Sequence, residues 1–246
     1  MSREEESTGK ERRAARRLNT RRRILDTAMD ILVREGHEGF TIVRLASELD
    51  YAVGALYRYF KGKDAIIAAL QYRIVTSIEA DVMATFRALP ERTRQHALAR
   101  VFAAGLVYES LTRRRPMEHH VLSLSLGDPR PQLEQAEAES VLPALGSLLG
   151  HLGEVIADAT EMGALGAGDA SQRALVIWGS TYGMMALRKL ERVRADIVDS
   201  RHTEELHMAL IVGWGGVAAE AKAAFAEAAT TAERVLSEPR EIPSSD

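Results

Sequence analysis

The residues best suited to chemistry lie in the run 53–63, VGALYRYFKGK, where small, aromatic and cationic side chains fit contact with a polyanion. Beside Val53, Gly54 and Ala55 would let a helix approach the floor of a groove closely. Tyr57, Tyr59 and Lys63 are amphipathic or cationic groups suited to phosphate oxygens, contacts that position a protein without reading sequence. Arg58 could pair bidentately with guanine or grip phosphate, and only the former specifies a base. Leu56 and Phe60, four residues apart, point inward and dock this segment on a partner helix. Arg21, Thr41 and Arg44 complete the candidate DNA-contacting set, and the basic cluster Arg16, Arg17, Arg21, Arg22 and Arg23 reads either as a phosphate-contacting arm or as a solvated face.

Other chemistry finds less support. The chain has no cysteine, which excludes thiolate nucleophiles, disulfides and thiolate metal sites. Neither a Gly-x-Ser-x-Gly elbow nor a phosphate-binding Gly-x-x-x-x-Gly-Lys-Ser/Thr loop occurs. His119 and His120 are adjacent and diverge on a helix. His151, Glu154 and Asp158 share a helical face at spacings of three and four, so a helical enzyme built on them is the alternative from another class. A solvated face explains the same spacing, and no catalytic residue, cofactor or metal is assigned.

The elements that must hold these residues read as helices throughout. Ile24, Leu25, Ala28, Ile31 and Leu32 recur at helical spacing behind Asn19 or Thr20, and Gly36 is placed to end that helix. Thr41 caps a second helix whose inner face is Ile42, Leu45, Ala46 and Leu49, with Phe40 able to pack on Leu45. After Asp50-Tyr51-Ala52 a third helix of about two turns carries the run above, and two short helices joined by such a turn match helix-turn-helix geometry. Further helices are predicted over 64–88, 93–112, 116–126 with Pro116 in its first turn, 132–162, 169–194 and 203–235. No segment shows sustained period-two alternation, so the fold class is all-α. The expected organisation is a disordered basic arm over 1–16, a three-helix DNA-binding domain over 17–63, a larger helical domain over 64–235 and a disordered tail over 236–246.

Charge is divided in the same way. Residues 10–63 hold thirteen Lys and Arg against seven Asp and Glu, a net +6, whereas the whole chain is −3 and its remainder therefore −9. A basic head on an acidic body suits a soluble protein that meets phosphates at one end. The N-terminus lacks the apolar run of a secretory signal, and stretches such as 209–219 are too short and too Gly-rich to span a bilayer, so a cytoplasmic location is expected.

Phe40-Thr41 through Ala46, followed by Gly54-Ala55-Leu56-Tyr57-Arg58-Tyr59-Phe60-Lys61-Gly62-Lys63-Asp64, resembles the DNA-binding domain of the TetR (tetracycline repressor-like) family. The Leu-Tyr-x-Tyr-Phe-x-x-Lys run is the most specific part, and the turn departs from the Gly-Val-Ser common in relatives. Asp tolerates the left-handed region better than most residues, but Ala52 cannot cap the helix that follows. The resemblance implies a homodimeric regulator, a repressor released from a palindromic double-stranded operator by a small apolar or amphipathic effector. A regulator without a small-molecule effector is the alternative.

Candidate pocket residues are Phe86, Phe102, Tyr108, Leu122, Leu126, Met162, Trp178 and Tyr182, each of which ordinary core packing would also explain. Candidate dimer-interface residues are Tyr182, Met185, Ala186 and Leu190 on one late helix and Met208, Ile211, Val212, Gly215 and Ala219 on the last. Gly213, Gly215 and Gly216 would each cost about 1 kcal/mol in a helix interior, which points to close helix approach.

Overall fold

The structure is a computed structural model that describes residues 3–90, 93–126, 135–187 and 201–238. Among the described residues every regular element is helical: α1 (Arg3–Gly39), α2 (Ile42–Glu48), α3 (Val53–Leu56), α4 (Lys63–Ala88), α5 (Arg94–Arg114), α6 (Pro116–Leu126), α7 (Gln135–Glu139), α8 (Leu142–Glu161), α9 (Ala170–Leu187), α10 (Arg201–Gly213) and α11 (Ala218–Ser237). The described residues fall into two compact units, one of 3–73, 120–126 and 135–141, the other of 74–90, 93–119, 142–187 and 201–238. The first unit thus ends inside α4 rather than at residue 63. The first part of α4 belongs with the head because Arg73 pairs with Asp26 at 2.5 Å and Gln71 donates to the Val121 carbonyl at 2.9 Å.

In the first unit Ile24, Leu25, Ala28, Ile31 and Leu32 of α1 are buried with Phe40, with Leu45, Ala46 and Leu49 around α2, with Leu56 and Phe60, and with Ile66, Ile67 and Leu70 of α4. Gly36 breaks α1 at φ 70°, ψ −177°, a conformation that costs glycine no Cβ strain. Thr41 caps α2 as expected, its side chain accepting from the Arg44 amide at 3.1 Å. Residues 3–16, expected to be disordered, continue α1. Residues 10–19 are all exposed, so this part of the helix rests on the intrinsic propensity of Glu, Lys, Arg and Ala rather than on packing.

The second unit is organised around α5, whose residues 97–99, 101–105 and 107–111 are buried. Ala221, Ala224, Ala228 and Ala232 of α11 give it a small-residue stripe that allows close packing, and α8 presents Ala144, Leu148, Leu152, Val155, Ile156 and Ala159 at helical spacing. The segment 135–161 is long and apolar enough to cross a membrane by length and composition alone, but the apolar side of α8 packs on α5 and α9.

Two predicted helices are divided. The expected helix over 132–162 turns at Ser140-Val141 between α7 and α8, and the expected helix over 203–235 turns at 214–217 between α10 and α11. Gly215 takes φ 91°, and a Cβ at Gly216 would lie 2.7 Å from the Ile211 side chain. The glycines therefore build a corner, not a helix interior. Gly215 approaches backbone closely, a Cβ there lying 3.2 Å from the Gly166 nitrogen, and the Gly166 amide donates to the Trp214 carbonyl at 2.7 Å.

Candidate functional site

The local sequence gives the head one buried and one open side. Asp50 adopts the left-handed region at φ 55°, which turns the chain from α2 into α3, and Ala52 makes no side-chain cap. The uncapped helix covers only Val53–Leu56 instead of two turns, after which turn bonds carry the backbone on: the Tyr59 and Phe60 amides donate to the Leu56 carbonyl at 2.9 and 3.0 Å. Leu56 and Phe60 are buried, while Val53, Gly54, Tyr57 and Arg58 are exposed and Ala55 and Tyr59 are half-buried. A Cβ at Gly54 would meet nothing within 4 Å, so the bare patch belongs to the surface.

The candidate cations divide into committed and free. Arg44 is held by Glu35 at 2.9 Å and Glu48 at 2.8 Å, and Arg34 joins Glu48 at 3.1 Å. The hydrogen bond from Arg44 holds the Glu35 carboxyl below its ordinary range. Lys63 donates to the His37 carbonyl at 2.7 Å, 5.8 Å from the centre of the Phe40 ring, and desolvation lowers its pKa. It ties the end of α1 to the start of α4 rather than standing free for phosphate. Arg21 lies 4.3 Å over the Phe60 ring and donates to the Tyr59 carbonyl at 3.4 Å, and its pKa is lowered by desolvation and then by Arg17. Thr41 is occupied as the α2 cap. The Arg58 and Lys61 side chains make no hydrogen bond or ion pair among the described residues, which leaves them free at the surface.

In the second unit a narrow cavity of about 30 Å³ is lined by Ile78 and Val82 of α4, Ala104, Gly105 and Tyr108 of α5, Leu148, Leu149 and Leu152 of α8, and Ile177, Trp178 and Thr181 of α9. Of the eight pocket candidates, Tyr108 and Trp178 reach its wall, and Tyr182 stacks on Trp178 with ring centroids 6.1 Å apart. Burial raises the Tyr108 pKa, and the neighbouring Tyr182 raises it further. Phe86 and Phe102 are buried elsewhere, Phe86 5.9 Å beneath Arg100 and Phe102 edge-on to Phe225 at 5.4 Å. Leu122 is buried in the first unit, and the Leu126 side chain lies outside the described residues. Met162 borders a separate, more polar cleft of about 210 Å³ with Arg100, Asp158 and Glu161. Sequence reasoning missed most of the small and aliphatic wall, Gly105 and Thr181 above all, because it sought large aromatic, Leu and Met side chains and not small ones.

The dimer candidates also divide. Met185 and Ile211 are buried within the protomer, Gly215 forms the corner, and Leu190 lies outside the described residues. Ala186, Val212 and Ala219 are exposed, and Tyr182 and Met208 are half-buried. Leu175, Val176 and Leu187 on α9 and Val217 add exposed apolar surface that the sequence reading did not single out. His151, Glu154 and Asp158 do not converge on one another's partners: His151 faces Glu79 at 3.1 Å, Asp158 faces Arg100 at 3.8 Å and Glu154 is exposed. Among the described residues no group of His, Asp and Glu is arranged to hold a metal ion.

Comparison with known proteins bears on the head first. Residues 24–70 match the sequence profile of the family described as "Bacterial regulatory proteins, tetR family". No curated protein matches the chain significantly. Among solved structures, a bacterial regulatory protein in the tetR family from Rhodococcus RHA1 is similar with a TM-score of 0.58 at 16% identity, over 80% of this chain and 97% of that one. FadR from Bacillus subtilis in complex with stearoyl-CoA gives 0.60 at 18%, over 77% and 97%. SmeT, the repressor of the Stenotrophomonas maltophilia multidrug efflux pump SmeDEF, gives 0.59 at 17%, over 79% and 89%. At these identities the likeness is one of fold.

Proposed function

We propose, from the match of residues 24–70 to the profile of the tetR family of bacterial regulatory proteins, that this chain is a cytoplasmic homodimeric repressor that leaves a palindromic operator when a small apolar or amphipathic ligand enters the cavity between α4, α5, α8 and α9. The observation that carries the DNA reading is the free Arg58 beside the bare Val53-Gly54 surface, on a segment whose opposite side is locked down by Leu56 and Phe60. Bare backbone permits close approach to base edges, and one uncommitted guanidinium supplies direct readout there. With Arg44 and Lys63 held by the protein's own groups, DNA shape carries the rest of the specificity.

The exposed Leu175, Val176, Ala186 and Leu187 of α9, with Val212 of α10, form the dimer surface in this reading. Two of the structures that this chain resembles, one holding stearoyl-CoA and one repressing an efflux pump, support a ligand-responsive repressor. The cavity of about 30 Å³ has room for no more than a couple of waters, so a ligand binds an opened arrangement of these helices and not the closed one. That difference in affinity is what a coupling of about 1–3 kcal/mol to DNA binding requires. The small size of the cavity also favours the second reading, a regulator that responds to no small molecule.

Selection of bound DNA from a random pool by the full-length protein tests the central claim. Enrichment of an inverted repeat with half-sites about one helical turn apart, or a multiple of it, is expected, and a pool without one refutes the reading. Compounds that release the selected DNA separate the two effector readings. Val212→Asp should shift the sedimenting species from dimer to monomer, and an intact dimer refutes the assigned surface.

A further inference from the structure

Residues 53–55, at the start of the exposed side of α3, offer no side-chain hydrogen-bond donor or acceptor. Val53 is 36% exposed, Ala55 is half-buried, and a Cβ at Gly54 would meet nothing within 4 Å, so this part of the surface presents methyl groups beside bare backbone. Tyr57 follows one helical turn after Val53, on the same side, and is 55% exposed. The segment is docked by Leu56 and Phe60, and β-branched Val is a weaker helix former than Ala. The exposed Val53 methyls are thus left to serve a partner. The free Arg58 and Lys61 side chains follow in the same run, so that partner is one that meets an apolar patch and positive charge together.

In the major groove the four bases differ in their donors and acceptors, and thymine alone adds an apolar group, its C5 methyl. An apolar side chain pressed against any other edge leaves a donor or acceptor, such as the cytosine amino group, desolvated without a partner. Building on the reading of the head as DNA-binding, we propose that Val53 is a specificity-determining residue that receives the thymine methyl of one T·A pair in each half-site. The Tyr57 ring supplies a second apolar wall for that methyl, and its hydroxyl faces the phosphates. Since the methyl belongs to one strand, the contact tells T·A from A·T as well as from C·G. It adds to the contact of Arg58 and narrows the share of specificity left to DNA shape.

Uracil is thymine without that methyl and pairs in the same way, which makes it the probe. In the inverted repeat that the full-length protein selects from a random pool, each thymine of one half-site is replaced in turn by uracil, and affinity is measured by gel shift at one fixed salt concentration. Uracil at one position should weaken binding about fourfold, as the loss of one buried methyl does. Val53→Ala, a change at an exposed site to a better helix former, should make uracil and thymine equivalent at that position. Replacing the same T·A pair by C·G should also weaken binding, and 5-methylcytosine there should recover part of the loss in the unaltered protein and none in Val53→Ala. The uracil series on the unaltered protein needs no variant, and tolerance of uracil at every position overturns the role of Val53. A sensitive position whose loss is unchanged in Val53→Ala overturns it too. Either result leaves the DNA reading in place, whereas a pool that yields no inverted repeat overturns both.

Discussion

Gly105→Ala offers a direct measurement of how closely α10 is fitted to α5. The added methyl would sit 2.1 Å from Cε1 and 2.7 Å from Nε2 of His207, well inside the contact distance of about 3.5–4 Å. The ring cannot easily retreat, because Thr181 holds it and it is buried on all sides. Overpacking of this kind costs about 1–3 kcal/mol. Against it stands a gain of up to about 1 kcal/mol, since alanine is the better residue in a helix interior. The net expectation in the unaltered protein is a loss of about 1–2 kcal/mol. With His207→Ala already in place the obstruction is gone, and the same Gly105→Ala change should stabilise the protein. The two changes should therefore couple by about 2–3 kcal/mol. Urea unfolding of the four proteins at one fixed protein concentration measures this, because association alters apparent stability. A Gly105→Ala effect of the same sign and size in both backgrounds would refute the packing argument.

The other predictions concern protons, DNA and the turn. His207 has a folded pKa of about 4 against an ordinary 6.5, so between those values the unfolded chain binds a proton that the folded chain does not. Stability from this group is fully present above pH 6.5 and is lost as pH falls toward 4, by up to about 3 kcal/mol, and unfolding curves of His207→Phe should lack that component. Arg58→Ala should weaken operator binding by about 1–3 kcal/mol with relaxed preference at one base pair if it reads guanine, or uniformly with a salt slope smaller by about one if it grips phosphate. Unchanged affinity in a gel-shift titration removes it from the interface. Ala52→Ser should supply the missing cap of α3 and raise stability by about 1 kcal/mol, read as a higher melting temperature; no increase would show that the turn gains nothing from a side-chain acceptor.

The head was legible because its signals are local. Gly36, Thr41 and Asp50 act through their own backbone or that of residues a few positions away, and each stands where its type predicts, as Pro116 does at the start of α6 in the second unit. Partnership between distant charges leaves no such mark. Arg44 and Lys63 read as free cations until Glu35 and the His37 carbonyl are seen beside them. The glycines at 213, 215 and 216 were informative, but a helix interior and a corner place the same demand for small residues, and only the conformation separates the two. The cavity lies at the other extreme. Gly105 and Thr181 line it from two helices, His207 packs against both from a third, and the three were brought together by packing that no periodicity encodes.

The exposed part of α1 has a further consequence. A helix with no packed face opens locally at little free-energy cost, so residues 10–19 should open more readily than the helix beyond Ile24, which is buried. Arg12, Arg13, Arg16 and Arg17 make that segment the first site that trypsin would cut. Amide exchange there should be fast in the free protein, and a nearby phosphate backbone, by relieving repulsion among those arginines, should slow it. The segment would then report on DNA occupancy through its own lifetime, independently of any contact made by the helix proposed to read the bases.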